Sequence, residues 1–127
     1  MLPRPEIIKL NEAVEAHARA IIAGDTAAAE AAVAARALEG YRTAIAGALA
    51  QGPFDRFAVV ARARIGPQYV VKVRLSGARG SALTQVRWGA AEDGRWRIAE
   101  LEYLTRDNMP WSRVGPPRPV AVEKRDG

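Results

Sequence analysis

The chain contains a single histidine, His17, whose imidazole titrates near neutral pH and is therefore the first candidate for proton transfer. It lies three residues after Val14 and four before Ile21, at the edge of the apolar stripe of a predicted helix. Tyr41, on the next predicted helix, could stabilise a developing oxyanion while His17 moves the proton. The alternative is a half-buried core histidine with a backbone partner, which is favoured because the sequence shows no carboxylate beside it.

Further polar and aromatic side chains could line a ligand cavity next to this pair. They fall on the predicted inner row of a sheet, where apolar walls with a few polar tips are typical of small-molecule pockets. Aromatic residues at these spacings are equally typical of a filled core. The arginine of the set lies near the end of its strand, where it could hold a ligand carboxylate or reach solvent. The set comprises Tyr69, Thr84, Trp88, Arg97 and Tyr103.

Residues 57–104 predict a four-stranded antiparallel meander, because apolar and polar side chains alternate along each segment. In the first hairpin, a three-residue Gly-Pro-Gln loop pairs Ile65 with Tyr69 and places the apolar rows of both strands on one face. A two-residue loop would set Arg62 and Arg64 among the valines. The pattern therefore favours the longer loop and an outward position for both arginines.

The last hairpin is marked by Asp93-Gly94, the preferred dipeptide of a two-residue turn. This turn pairs Trp88 with Ala99 on the inner row and places Arg97 on the same row. The outer face becomes charged, with opposite charges across the strands. The other predicted pairs are Thr84 with Tyr103, Val86 with Leu101, Arg87 with Glu100, and Gln85 with Glu102.

Two helical segments precede the sheet. The first, residues 7–21, should end at Gly24, and Asp25 or Thr26 should cap the second. The second, up to residue 51, ends at a Gly-Pro pair, and Gly40 could bend or divide it.

These elements predict an α+β fold in which N-terminal helices pack on one face of a curved four-stranded antiparallel sheet. Residues 5–112 are expected to form the single domain. Residues 113–127 form a Pro-rich basic tail that is expected to be flexible.

The composition sets broad limits on function. At 127 residues, 49% of them hydrophobic, the chain can form one domain with a substantial core. One histidine and no cysteine argue against a zinc centre, and no cofactor is predicted. The absence of a signal-peptide pattern and of a membrane-spanning segment predicts a cytoplasmic protein with no membrane partner. The net charge of +5 favours anionic partners in general.

A basic stripe on the outer face of the predicted sheet could track nucleic-acid phosphates. Glu100 and Glu102 interrupt the stripe, and no outward aromatic row offers base stacking, so nucleic-acid binding is disfavoured. A solvated face with ion pairs, or a dimer interface, accounts for the same residues. The stripe consists of Arg62, Arg64, Lys72, Arg74 and Arg87.

The Ala-Gly-Asp corner between the helices, the Gly-Pro-Phe entry to the sheet and the final hairpin Asp93-Gly-Arg-Trp-Arg-Ile98 together resemble the NTF2-like superfamily, over residues 7–104. The resemblance implies a cone-shaped fold related to cystatin, a pocket between the helices and the concave sheet face, and often a homodimer. Members include ketosteroid isomerases, SnoaL-type polyketide cyclases, scytalone dehydratase and non-catalytic association domains. This chain departs from the enzymes, because its predicted inner sheet face carries no carboxylate.

The leading hypothesis is a pocket for a small organic molecule, acids included, with an isomerase-, cyclase- or dehydratase-type step if the protein is an enzyme. The alternative is a non-catalytic homodimerisation module whose pocket is closed by its own side chains. Nucleic-acid binding through the outer face is a distant third. Whether the space beneath Tyr41 and Trp88 is empty or filled distinguishes the first two.

Overall fold

Helices occupy the first part of the chain and strands the second. The computed structural model describes residues 5–91 and 93–105, so the predicted end of the domain and the Pro-rich tail lie outside the described residues. The elements are α1 (Pro5–Ala23), α2 (Thr26–Ala31), a short 3-10 helix (Ala35–Ala37), α3 (Leu38–Leu49), β1 (Arg56–Ile65), β2 (Gln68–Ser76), β3 (Ser81–Ala90) and β4 (Trp96–Leu104). The predicted α+β class is confirmed.

The four strands form one antiparallel sheet in the order β1-β2-β3-β4, which confirms the predicted meander. The helices cover one face of this sheet, and the core lies between the two layers. Each fully buried large apolar side chain contributes roughly 1.5 to 3 kcal/mol relative to exposure. The largest fully buried side chains are Trp88, Leu10, Leu75, Ile98, Val71 and Val86.

The corner between α1 and α2 follows the prediction. Gly24 has a φ of +73°, a left-handed conformation that glycine adopts without a steric penalty. The side chain of Asp25 accepts a hydrogen bond from the backbone N–H of Ala28 at 3.1 Å and so caps α2. The corner turns the chain back, and Leu10 and His17 on α1 face the core.

The second predicted helix is interrupted, and not at Gly40. After α2 the chain runs extended beside β4, where the Ala34 N–H donates to the Ile98 carbonyl at 2.9 Å and the Ile98 N–H donates to the Ala32 carbonyl at 2.8 Å. This short parallel bridge, centred on Val33, satisfies backbone groups on the outer edge of β4. The alanine-rich sequence gives no sign of this break, because the break is caused by hydrogen bonds to Ile98, which lies far along the chain.

The first hairpin differs from the prediction in its turn. Arg64 pairs with Tyr69 and Ile65 with Gln68, so the connection is a two-residue Gly-Pro turn. A bulge at Val60 absorbs the one-residue shift between this end of β1 and its beginning. Beyond the bulge the alternation is reversed, and Ile65 faces outward with 61% of its surface exposed.

The predicted outward position of Arg62 and Arg64 is therefore wrong. The Arg62 guanidinium donates to Oδ1 of Asn11 on α1 at 2.6 Å, and Arg64 shares the helix-facing row of Tyr69. Side chains alternate with a period of two, so one inserted residue moves every later side chain of the strand to the opposite face.

The register of β3 with β4 is confirmed near its middle and shifts near the turn. Trp88 pairs with Ile98 instead of Ala99, because β4 carries one extra residue there. Arg97 therefore lies opposite Gly89 on the outer row, and its predicted inner position is wrong. The confirmed pairs are Thr84 with Tyr103, Gln85 with Glu102, Val86 with Leu101, and Arg87 with Glu100.

The connection between these strands is longer than an Asp-Gly turn. Ala90 pairs with Trp96, so residues 91–95 lie between the paired positions. Gly94 has the left-handed φ of +81° that the dipeptide suggested, and the Asp93 side chain accepts from the Arg95 N–H at 3.0 Å. The turn signal located the hairpin, and the longer loop changed its register.

Two glycines of α3 are expected to respond oppositely to alanine. A Cβ on Gly47 would lie 2.8 Å from Cδ2 of Tyr103, whereas a Cβ on Gly40 would have no atom within 4 Å. We expect Gly40→Ala to raise the free energy of unfolding by roughly 0.5 to 1 kcal/mol through helix propensity. Gly47→Ala is expected to lower it by about 1 to 3 kcal/mol through overpacking. Urea denaturation measures both, and changes of the same sign would contradict the packing of α3 on Tyr103.

Candidate functional site

The structure brings His17 of α1 and Tyr41 of α3 into contact between the helices and the sheet. His17 Nε2 lies 2.8 Å from the Tyr41 hydroxyl, and the two rings meet edge to face with centroids 5.7 Å apart. Only 6% of His17 and 3% of Tyr41 is exposed. The helical stripes placed both residues inward, and their contact is a product of how α1 and α3 cross the sheet. Their catalytic role remains a prediction.

Both members of the pair are electrically neutral at pH 7. Burial lowers the pKa of His17 to about 4. Burial, followed by the nearby negative charge of Glu30, raises the pKa of Tyr41 to about 12. Within the described part of the chain, no carboxylate forms a hydrogen bond with His17. A base with so low a pKa accepts protons poorly at neutral pH, so the pair is suited to structural hydrogen bonding more than to proton transfer.

The space beside this pair is almost filled. The cavity beside His17 has a volume of only about 10 Å³. That is room for about one water molecule, whereas pockets for small organic ligands measure roughly 300 to 1,000 Å³. The lining residues include Val14, Ala18, Thr84, Val86 and Trp88.

Trp88 is the largest side chain that lines this cavity. Its side chain is 1% exposed, and its ring meets that of His17 edge to face at 6.1 Å. The Trp88 indole N–H is buried and has no hydrogen-bond partner among residues 5–91 and 93–105. An inward tryptophan was foreseen from the strand pattern, but an unpartnered donor cannot be read from a sequence.

The remaining predicted ligand residues are dispersed. Thr84 Oγ1 donates to the Val73 carbonyl at 3.1 Å, which occupies its hydroxyl within the sheet. The Tyr103 ring packs against α3, and Tyr69 is half-buried and pairs with Trp88 across β2 and β3 without lining the cavity. Arg97 lies on the outer row. Of the five predicted ligand residues, only Thr84 and Trp88 line the cavity next to His17.

A second hollow, missed by sequence reasoning, lies at the end of the sheet where β4 begins. Trp96 packs edge to face against Tyr69 with centroids 5.8 Å apart, and its indole N–H donates to the Glu6 carbonyl at 3.2 Å. Lys9 and Arg64 lie on the walls of the same hollow. The bulge in β1 turns Arg64 into it, and the alternating pattern contains no sign of that bulge.

The described residues contain no group of three or more histidine, cysteine, aspartate or glutamate side chains that could hold a metal ion. None of the helices in this part of the chain is both long enough and apolar enough to cross a membrane. Comparisons with protein-family models, with curated proteins and with solved structures give no match for this chain. Function therefore has to follow from the geometry of the chain itself.

Proposed function

We propose that this protein is a non-catalytic association domain of the NTF2-like type, which pairs with a second copy through β1. The observation that carries the proposal is the concentration of exposed hydrophobic side chains on this edge strand. Five large hydrophobic side chains are exposed in the described residues, and three of them lie on β1. These are Val59 (48% exposed), Val60 (42%) and Ile65 (61%).

The position of β1 in the sheet makes this surface available for pairing. Among the described strands β1 bonds only to β2, so within residues 5–91 and 93–105 one side of its ten-residue ladder has no partner strand. The opposite edge strand, β4, is covered in part by the bridge to Val33. An open edge with exposed apolar side chains is a template for another strand.

A second copy of the chain fits this edge. Antiparallel pairing about a two-fold axis between Val60 and Ala61 would set Arg62 opposite Val59 of the partner subunit and Arg64 opposite Phe57 of the partner subunit. Both members of each pair lie on the helix-facing side, so no like charges oppose one another. A two-fold interface of this kind is isologous, which is the commonest arrangement of homodimers.

Two of the three arginines of β1 already have side-chain partners within the chain. Arg56 pairs with Asp55 at 2.8 Å, and Arg62 binds Asn11 of α1. These contacts hold the long side chains locally and leave the valines at the edge. The outer face of the sheet is the other predicted dimer interface. Its Arg87 and Glu100 form an ion pair with each other, so these charges are already paired without a second subunit.

Catalysis on a ligand held between helices and sheet has weaker support. The cavity beside His17 offers about 10 Å³, and the pKa of His17 is lowered to about 4. The NTF2-like assignment is supported by the order of helices and strands and by the hairpin around Asp93 and Gly94. Non-catalytic association domains are among the members that this resemblance implies.

We expect the purified protein to be a dimer by light scattering coupled to gel filtration, at concentrations up to about 100 μM. Val60→Lys introduces a charge into the apolar edge and is expected to yield a monomer. Leu49→Lys is the matched control, because Leu49 is similarly exposed at 46% and belongs to α3, which packs on β4 and β3. Circular dichroism checks that both variants remain folded.

A monomeric wild-type protein over this concentration range contradicts the proposal. A dimer that survives Val60→Lys but dissociates on Arg74→Glu contradicts the edge interface and assigns pairing to the outer face of the sheet.

A further inference from the structure

The hollow at the end of the sheet brings two cationic side chains beside an indole ring. It lies between the first turns of α1, the β1–β2 turn and the start of β4, and its volume is about 390 Å³. The hollow is a cleft that is widely open to solvent, and Trp96 is the one buried residue among those that line it in the described part of the chain. We call it the Trp96 cleft, and it is lined by Glu6, Lys9, Arg64, Pro67, Ala90 and Trp96.

We propose that the Trp96 cleft binds a small monocarboxylate with an apolar body, the carboxylate being held by Lys9 and Arg64. Although Arg64 belongs to β1, Lys9, Arg64 and Trp96 line the cleft within a single chain, so this proposal does not depend on dimerisation.

Arg64 reaches the cleft because of the bulge at Val60. β-Bulges often re-aim a side chain beside a functional site, and here the bulge moves Arg64 from the outer face to the row of Tyr69. Its Nε donates to the Gly66 carbonyl at 3.0 Å, which fixes the guanidinium near the turn. Both terminal nitrogens then have no partner in residues 5–91 and 93–105, and a planar guanidinium suits bidentate contact with a carboxylate.

Lys9 supplies the second positive charge. It projects from α1 into the Trp96 cleft and forms no ion pair within the described part of the chain. Among the described residues that line the cleft, Glu6 is the one carboxylate, so these side chains together carry a net charge of about +1. This balance suits a monoanion better than a dianion such as phosphate.

The other walls are apolar and held in place. The Trp96 indole is fixed by its hydrogen bond to the Glu6 carbonyl and by its contact with Tyr69. Pro67 and Ala90 complete the apolar part. A ligand that places its carboxylate between Lys9 and Arg64 would lay its apolar body against these groups, as in pockets with few polar contacts on apolar walls.

The test is a titration of the full chain with sodium benzoate, followed by ¹H–¹⁵N NMR, with the uncharged benzamide as the matched compound. We expect benzoate to shift the Trp96 indole and Gly94 amide signals with saturation below about 10 mM, and benzamide to bind at least fivefold more weakly. Lys9→Met and Arg64→Met should each weaken benzoate at least fivefold. Arg79→Met removes the same charge at the opposite end of the sheet and should leave the affinity within twofold.

Three results would overturn the proposal. One is the absence of saturable shifts around Trp96. Another is equal binding of benzoate and benzamide, which would exclude recognition of the carboxylate. The third is inorganic phosphate binding as tightly as benzoate, which would indicate a general anion site without use of the apolar walls. Light scattering reads the oligomeric state and the NMR shifts around Trp96 read benzoate binding, so a failure of dimerisation and a failure of this site are distinguishable.

Discussion

Replacing Trp88 with alanine is expected to lower the free energy of unfolding by about 3 to 5 kcal/mol, as for other buried tryptophan and phenylalanine truncations. The side chain is 1% exposed, and from the inner row of the sheet it packs against His17. Its removal leaves a void that the surrounding strands can close only in part, since the core is held by paired backbones on β2, β3 and β4. Urea denaturation monitored by far-UV circular dichroism measures the loss.

Trp88→Phe is the matched control. It keeps an aromatic ring and removes the indole N–H, which has no partner in the described part of the chain. We expect it to cost less than about 1.5 kcal/mol, because part of the lost packing is offset by the removal of a buried unsatisfied donor. Equal losses for the two variants would contradict the view that the bulk of the ring, and not its polar atom, stabilises this region.

The alanine variant also tests why the interior is closed. Removing Trp88 should open an apolar cavity beside His17, Val14 and Val86. Added indole should then raise the melting temperature of Trp88→Ala and leave that of the wild-type protein unchanged. Such a rescue would mean that Trp88 itself occupies the space in which a ligand is expected from the NTF2-like resemblance.

Stability is expected to fall in mild acid because of His17. Its pKa is about 4 in the folded protein against an ordinary value of 6.5, so the unfolded chain binds the proton first. The contribution of this group is complete above pH 6.5, is lost progressively as the pH falls to 4, and does not change below 4. The shift corresponds to about 3 kcal/mol of unfolding free energy. Chemical denaturation at closely spaced pH values measures this loss.

His17→Gln is the control for this pH dependence. Glutamine does not titrate, and its side-chain amide can keep a hydrogen bond to the Tyr41 hydroxyl. The variant should retain the acid sensitivity of the carboxylates, including Glu30, whose pKa is lowered by its hydrogen bond to Arg42. The difference between wild type and variant between pH 6.5 and 4 isolates His17, and identical pH profiles would show that its ring is solvated in the folded state.

Helix periodicity and strand alternation identified most of the secondary structure. The apolar stripe through Leu10 and His17 predicted α1, and Gly24 and Asp25 predicted the corner after it. Such features are local, because a glycine at positive φ or a cap acts within a few residues. The break after α2 was not local. It depends on hydrogen bonds to Ile98, so no pattern within the helix could reveal it.

For the candidate site, the sequence alone indicated that His17, Tyr41 and Trp88 face inward, because each occupies an apolar row with helical or strand periodicity. Only the tertiary structure decided that they contact one another and leave almost no space, since this depends on how α1 and α3 lie across the sheet. The tertiary structure also determined on which face of the sheet Arg64 and Arg97 lie. One extra residue in a strand alters the pairing with its neighbour and leaves the amino-acid pattern unchanged, so a period of two cannot reveal where the alternation reverses.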